Sequence, residues 1–294
     1  DIDVTGSFIQ SPTAGGGDVL QLLNDGIRGG VVDILVDTNI DIGGDTTVVD
    51  DNDAIEAVRI ADADAVILHS TAGNVIHSGD GDIEASGADA DINIDADAAG
   101  SAITFTGAGE IFTSSEGGGD NADVLIDVTG GGTIDQSSTD HRISATDDVF
   151  IGKNGTRPAT VDLSGGVAAD DLITIQASGN ITMDTTDNTA HIETATDNAT
   201  EGDILIDSTS GTVALTNAAL ISANPTDTDD SADVIVVAAT IDLQSSNAVE
   251  VEAAGNILFT ADTTSATARV DMSAGIDIVV AAVDNVTFAG SETA

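Results

Sequence analysis

Alternating acidic residues between positions 89 and 97 form the pattern in this sequence best suited to chemistry. Oxygen-bearing side chains occupy every second position, namely Asp89, Asp91, Asn93, Asp95 and Asp97. Successive side chains of a β-strand point to opposite faces, so all five would lie on one face at intervals of about 6.6 Å. The four carboxylates are therefore candidate Ca²⁺ ligands. An acidic face that is only screened by salt explains the same pattern.

The loop from Asp227 to Asp233 is a second candidate for Ca²⁺. Oxygen-bearing side chains lie at positions 1, 3, 5 and 7 of this loop, namely Asp227, Asp229, Ser231 and Asp233. This spacing matches the first half of an EF-hand loop, although the Gly at position 6 and the Glu at position 12 are absent. Ca²⁺, held by Asp227, Asp229 and Asp233, is thus the one cofactor that the sequence suggests at this loop. A solvated acidic turn is the alternative.

Other site chemistry finds little support. The chain has no Cys, and its four histidines (His69, His77, His141 and His191) have no second His or carboxylate at metal-ligand spacing. Neither a Gly-x-Ser-x-Gly elbow nor a Gly-Lys-Ser/Thr phosphate loop occurs. We expect surface or turn positions for the histidines, and we expect no enzyme. A polysaccharide-active β-helix is the weaker alternative, because such enzymes usually line their grooves with basic or aromatic residues.

Charge restricts the partners of the chain. The 294 residues include 52 Asp or Glu and only six Lys or Arg, which gives a formal net charge of −46. Nucleic-acid binding needs a basic surface, so we exclude it. No apolar run approaches the roughly 18 residues of a membrane span, so none is predicted. The chain begins at Asp1 without Met or a signal-like segment, so we expect a mature or excised segment of a larger protein.

Short β-branched runs position these residues. Runs of about five residues, bounded by Gly, Asn, Asp, Ser or Thr, recur along the chain, and two examples are Asp123–Asp127 and Asp203–Asp207. This pattern is typical of strands and predicts an all-β fold. From the alternation we expect Ile204 and Ile206 to be buried, as their counterparts Val124 and Ile126 should be. Residues 18–24 are the exception, because their spacing suits one or two helical turns.

The runs are also copies of one another, which decides the predicted fold. Asp203–Asp207 matches Asp123–Asp127 at an offset of 80 residues, and two long units pass through about eight strands in the same order. Units that repeat in this way stack on their neighbours. We predict a parallel β-solenoid, a right-handed β-helix with two or three strands per coil. The predicted segments are an N-terminal cap or entry segment (1–30), degenerate coils (31–122), two repeat units (123–202 and 203–276) and the final strands of a partial repeat (277–294).

Two strand motifs carry a resemblance to a known family. They are Gly-Asn-Ile, at Gly179 and Gly255, and Gly/Ala-Asp-Ile/Val, at Ala122 and Gly202. Over about residues 65–290 their alternation resembles the repeat region of large secreted exoproteins of the filamentous-haemagglutinin type. The resemblance implies secretion, a β-helical shaft, and a role in adhesion or matrix building at the cell surface or outside the cell.

Half of the basic side chains lie in one short stretch. Arg142, Lys153 and Arg157 fall within 16 residues, and the first long unit is five residues longer here than the second. We expect the extra residues, 152–158, to form a loop that bulges from the shaft. This loop either balances local acids or docks on the acidic face of a neighbouring copy. The expected function is a structural module that self-associates head to tail or laterally, and the alternative is an acidic Ca²⁺-binding surface module.

Overall fold

The computed structural model is a parallel β-solenoid in which each coil contributes one strand to each of three sheets. The structure describes residues 2–3, 7–10, 20–22, 27–29, 31–37, 39–42, 53–58, 65–77, 81–87, 90–106, 109–114, 121–128, 133–136, 140–152, 160–165, 172–185, 190–194, 203–216, 218–223, 232–245, 249–261, 269–274 and 276–289. Among these residues there is no helix, and no segment qualifies as a membrane-spanning helix.

The described residues form 31 strands, most of them three to six residues long. The first ten are β1 (Ile2–Asp3), β2 (Ser7–Gln10), β3 (Leu20–Leu22), β4 (Ile27–Gly29), β5 (Val31–Val36), β6 (Ile40–Ile42), β7 (Asp53–Val58), β8 (Val66–Ser70), β9 (Val75–His77) and β10 (Asp82–Ser86). The next eleven are β11 (Ile92–Ala96), β12 (Ala102–Phe105), β13 (Ile111–Ser114), β14 (Val124–Asp127), β15 (Thr133–Gln136), β16 (Asp140–Ala145), β17 (Val149–Ile151), β18 (Thr160–Gly165), β19 (Leu172–Ala177), β20 (Ile181–Asp184) and β21 (Ala190–Thr194). The last ten are β22 (Ile204–Ser208), β23 (Thr212–Thr216), β24 (Ala218–Ala223), β25 (Val234–Ala238), β26 (Thr240–Ser245), β27 (Val249–Ala253), β28 (Ile257–Ala261), β29 (Arg269–Ala274), β30 (Ile278–Ala282) and β31 (Val286–Ala289).

Every third strand belongs to the same sheet. Sheet 1 runs from β1 to β31 with eleven strands, sheet 2 from β2 to β29 with ten, and sheet 3 from β3 to β30 with ten. Each described strand pairs in parallel with the strand three places away in the chain; β11, for example, pairs with β8 and β14. The predicted all-β parallel solenoid is confirmed, and it has three strands per coil. With coils about 4.8 Å apart, ten coils make a rod roughly 50 Å long.

Alternation along each strand builds the core. In β22, Ile204 and Ile206 are fully buried while Leu205 is half-buried, as the sequence predicted, and Val124 and Ile126 are fully buried too. Ile206 lies in register between Ile175 and Val236 of the adjoining coils. Apolar side chains therefore stack on one another along the inside of the solenoid. Each such side chain contributes about 1.5–3 kcal/mol by leaving water.

The sequence repeat does not coincide with the coil. The described residues of each long unit contain eight strands, β14–β21 in the first and β22–β29 in the second, and eight is not a multiple of three. Matching strands therefore lie on different sheets: β14 belongs to sheet 2, but its counterpart β22 belongs to sheet 1. Matching strands of the two units therefore do not stack directly on one another. The three sheets offer equivalent surroundings, so one strand motif fits any of them.

Glycine before a strand allows the corners of successive coils to touch. Gly179 and Gly211 occupy the same corner in neighbouring coils, directly before Asn180 and Thr212. A Cβ on Gly211 would meet the Gly179 carbonyl oxygen at 2.2 Å, closer than real Cβ contacts come. Gly211 is therefore required by close packing against Gly179, the glycine of a Gly-Asn-Ile motif in the preceding coil.

One local prediction is wrong. Residues 18–24 were expected to form helical turns, but Leu20–Leu22 form strand β3. Leu20 and Leu22 pair with Ile40 and Ile42 of β6. Pairing with the next coil thus outweighs a local spacing that also suits a helix.

Candidate functional site

Asp and Asn side chains form a line across successive coils at the turn that directly precedes the strands of sheet 2. Each member lies at the start of a strand and accepts the backbone N–H of the equivalent residue in the next coil. Asp91 Oδ1 accepts from Asp123 N at 2.9 Å, and Asp123 Oδ1 accepts from Asp148 N at 2.9 Å. Asp148 Oδ1 accepts from Asn180 N, and Asn180 Oδ1 accepts from Thr212 N at 3.0 Å. We call this line, which runs from Asp91 to Asn180 and ends on the N–H of Thr212, the corner ladder.

The other two corners carry shorter lines of the same kind. Before sheet 1, Asp203 accepts from Asp233 N at 2.7 Å and Asp233 accepts from Asn256 N at 2.6 Å. Before sheet 3, Asn39 accepts from Asn74 N at 2.9 Å, and Asn74 accepts from Ala102 N at 2.8 Å. The Asp and Asn of the two strand motifs thus hold one structural position. Hydrogen bonds that involve a carboxylate contribute about 1.5–3 kcal/mol each.

Burial, and after it the charge of neighbouring carboxylates, raises the pKa of three aspartates at these corners. Burial raises the pKa of Asp123 to about 6, the hydrogen bond from Asp148 N opposes the rise, and the carboxylates of Asp91, Asp148 and Asp147 add to it. Burial likewise raises the pKa of Asp82, and the charges of Glu110 and Glu84 raise it further. Burial, reinforced by Asp148, raises the pKa of Asp147. The carboxyl groups of Asp123, Asp82 and Asp147 therefore hold their protons at a higher pH than free aspartate does.

The acidic residues that the sequence places between positions 89 and 97 have two roles in the structure. Ile92, Ile94 and Ala96 are buried and Asn93 and Asp95 half-buried, so the predicted alternation is confirmed. Asp91 belongs to the corner ladder, where its carboxylate accepts a backbone N–H. Asp95 and Asp97 remain on the outer face of sheet 2. Asp89 lies outside the described residues.

A histidine approaches Asp95 and Asp97 from the neighbouring coil. His69 Nε2 lies 2.8 Å from Asp97 Oδ2 and 3.7 Å from Asp95 Oδ2. Their side chains are 29%, 38% and 25% exposed for His69, Asp97 and Asp95 respectively. One ligand atom from each of the three residues lies within 4.8 Å of the others. The expectation that the histidines lack a carboxylate neighbour is therefore wrong for His69.

His77 differs from the expected surface histidine as well. It is fully buried, its Nε2 lies 2.7 Å from the Gly81 carbonyl oxygen, and its ring meets Phe105 edge-on at 6.3 Å. A buried imidazole held in this way packs the inside of sheet 3. His141 and His191 lie on strands β16 and β21, and their side chains are not among those that the structure describes.

The second predicted Ca²⁺ site is described only at its last position. Asp233 accepts hydrogen bonds from the backbone and side-chain nitrogens of Asn256, at 2.6 and 3.1 Å, so its carboxylate links two coils. Asp227 and Asp229 lie outside the described residues. Ca²⁺ binding by this loop stays a prediction.

The predicted basic loop is likewise described only in part. Lys153 and Arg157 lie outside the described residues, as does most of the bulge. Arg142 lies exposed on β16, with Nη1 3.6 Å from Glu110 Oε2 and Nη2 3.4 Å from Gln176 Oε1. Arg142 therefore links the outer side chains of three successive coils, and docking of the loop on another copy stays a prediction.

The coil formed by β29, β30 and β31, here called the open coil, exposes apolar side chains. Ile276 is 70% and Phe288 is 55% exposed, and the other large apolar residues exposed there are Ile278, Val279, Val283 and Val286. The Phe288 ring stacks on Phe259 of the preceding coil, with centroids 5.3 Å apart. Among the described residues, the inward positions of the open coil are thus covered by the preceding coil alone.

Sequence reasoning missed the His69 cluster and the corner ladder because both join residues of different coils. His69 and Asp97 are 28 residues apart, whereas Asp123 and Asp148 at equivalent positions are 25 apart, so no constant period reveals the pairs. The recurrent Asp or Asn before each strand was the available signal for the ladder. Geometry therefore offers an open apolar end, lines of shared backbone hydrogen bonds and one mixed His/Asp cluster as candidate sites. No protein-family model matches the chain, and no curated protein or solved structure is significantly similar to it.

Proposed function

We propose that the chain is a structural, non-catalytic β-solenoid module of an extracellular or cell-surface protein that assembles head to tail with copies of itself. The observation that carries this proposal is the open coil, whose inward side chains are partly exposed to water. Exposed apolar patches of this kind favour association, because covering them removes apolar surface from water.

The order of the strands makes one copy a continuation of the next. The first strands of the three sheets are β1, β2 and β3, and the last are β31, β29 and β30. A second copy, turned about the rod axis by one sheet, can therefore place β1 beside β29, β2 beside β30 and β3 beside β31, one strand per sheet. Each junction would pair N–H and C=O groups along the strand edges that meet there. Contacts of this head-to-tail type build filaments when they do not close into a ring.

Charge sets the conditions for such assembly. Two copies that each carry a formal charge of −46 repel one another over a distance of about 8 Å at physiological salt. Apolar contact at the open coil acts only at short range. We therefore expect assembly to strengthen as salt screens the repulsion.

The proposed location rests on the resemblance of the strand motifs to repeats of secreted exoproteins. The corner lines are in keeping with it, since they give the Asp and Asn of those motifs a purely structural task. A shaft needs this kind of repeated link between coils, and it needs no pocket.

The test is the size of the particle as a function of salt. Sedimentation velocity and negative-stain images should reveal rods that lengthen between low salt and physiological salt. Ile276→Asp and Val283→Asp place a charge on the open coil and should keep the protein in single rods. The matched control is Thr106→Asp, which adds the same charge at an exposed position far from the open coil.

The proposal fails on either of two results. One is a wild-type protein that stays a single rod at every salt concentration. The other is that rods of the Ile276→Asp and Val283→Asp variants lengthen with salt as much as rods of the Thr106→Asp control.

A further inference from the structure

We propose that His69, Asp95 and Asp97 bind a divalent transition-metal cation, with Zn²⁺ as the best match, on the outer face of sheet 2. A shaft does not need such a site, so this inference goes beyond the proposed function. It rests on the three side chains, the strands that hold them and the chemistry of their ligand atoms.

The spacing of the ligand atoms suits one small cation. His69 Nε2 lies 2.8 and 3.7 Å from the Asp97 and Asp95 oxygens, and all three ligand atoms lie within 4.8 Å of one another. Zn²⁺ binds imidazole nitrogen and carboxylate oxygen at about 2.0–2.2 Å, which places tetrahedral ligand atoms roughly 3.4 Å apart. Small rotations of the three side chains would bring them to this spacing.

The backbone beneath the cluster is fixed by the parallel ladder. Asp95 pairs in register with His69, and Ala96 pairs with Ser70. Asp97 N then donates to Ser70 O at 2.9 Å, which continues the ladder past the end of β11. Asp95 and Asp97 are two residues apart and so share the face on which His69 lies. Sites built on strands hold their ligands more precisely than sites on loops.

The kind of ligand selects the kind of metal. Imidazole suits Zn²⁺, Cu²⁺ and Ni²⁺, whereas Ca²⁺ takes six to eight oxygen ligands. With a neutral imidazole the two carboxylates supply two negative charges, which balance a divalent cation. Zn²⁺ is usually four-coordinate, so three protein ligands leave a fourth position for water, as in open zinc sites. Because the three side chains are partly exposed, water can reach that position. The acidic surroundings raise the local concentration of any cation.

Isothermal titration with Zn²⁺ alone and the visible spectrum of added Co²⁺ test the site. We expect one tight Zn²⁺ per chain, the d–d bands of four-coordinate Co²⁺, and little competition from excess Ca²⁺. His69→Ala, Asp95→Asn and Asp97→Asn should each weaken Zn²⁺ binding at least about tenfold. Circular dichroism checks that each variant folds. If His69→Ala does not fold, Asp95→Asn, which keeps the shape of the side chain, tests the site in its place.

The chain offers a matched control on the same sheet. Asp242 and Asp271 lie in register on neighbouring strands of sheet 2, at outward positions. The double variant Asp242→Asn/Asp271→Asn removes two carboxylates from the same outer face and should leave Zn²⁺ affinity unchanged. If the control lost as much Zn²⁺ affinity as the site variants, or if His69→Ala bound Zn²⁺ unchanged, the binding would be unspecific attraction of cations and the proposed site would be wrong. Equal competition by Ca²⁺ would overturn the assignment to a transition metal.

Discussion

Phe259 and Phe288 hold the same register position one coil apart, yet their surroundings differ. Phe259 in β28 is fully buried, whereas Phe288 in β31 is 55% exposed. The difference is the coil on the far side: β25 covers Phe259, and Phe288 has a described neighbour strand only in β28. Burial in a solenoid thus depends on both adjoining coils, and an apolar pattern along one strand does not ensure it.

The largest expected effect comes from a charge placed in the closed part of the rod. Ile206→Asp would bury a carboxylate between Ile175 and Val236, and we expect a loss of about 3–5 kcal/mol in the free energy of unfolding. Val286→Asp makes a similar change in the open coil, where Val286 is 40% exposed and water still reaches the new carboxylate. Urea unfolding of both variants measures the two losses, and we expect the smaller one for Val286→Asp. Equal losses in the free energy of unfolding would contradict the difference between the closed and the open part of the rod.

Truncation of the two stacked phenylalanines should give a smaller but graded effect. Phe259→Ala removes a fully buried ring and should cost about 3–5 kcal/mol. Phe288→Ala removes a half-exposed ring and one aromatic contact, for which we expect about 1–2 kcal/mol. Thermal and urea unfolding under conditions that keep the rods single measure both values. If salt-driven assembly covers the open coil, the cost of Phe288→Ala should rise toward that of Phe259→Ala.

The smallest effect concerns the corner ladder, where Asp123 lies between the carboxylates of Asp91 and Asp148. The pKa of Asp123 is raised to about 6 in the folded chain, above its ordinary value of 3.8, so the folded state holds the proton more tightly. Its ionisation therefore destabilises the fold above pH 6, and this penalty disappears as pH falls below 3.8. Asp123→Asn keeps an acceptor for Asp148 N and should gain about 1 kcal/mol at pH 7, a value discounted because Asp123 is about half exposed.

Urea unfolding between pH 4 and pH 8 checks this gain. The benefit of Asp123→Asn should shrink steadily as the pH falls and vanish near pH 4. Asp242→Asn removes one charge from the exposed outer face of sheet 2 and serves as control. A gain of equal size in the control, or one that does not change with pH, would contradict the role assigned to the corner.

Several features could be predicted because they depend on neighbours in the chain. Alternation placed Ile204 and Ile206 inside, since the side chains of a strand change face at every residue. Repetition of short β-branched runs predicted parallel stacking, since such units bury their apolar face only against copies of themselves. The two roles of Asp91 and Asp95 were not separable, because a strand pattern does not tell which carboxylate meets a backbone N–H of another coil.

The sequence by itself determined the strands, their inward faces and the solenoid that they form, because these follow from local alternation and from repetition. Only the tertiary structure decided which residues meet across coils. Because each coil has three strands and the sequence repeat has eight, β14 and β22 lie on different sheets. The register between β8 and β11 places His69 beside Asp95 and Asp97. Register between coils is set by the summed pairing of all strands, so no single stretch of sequence encodes it.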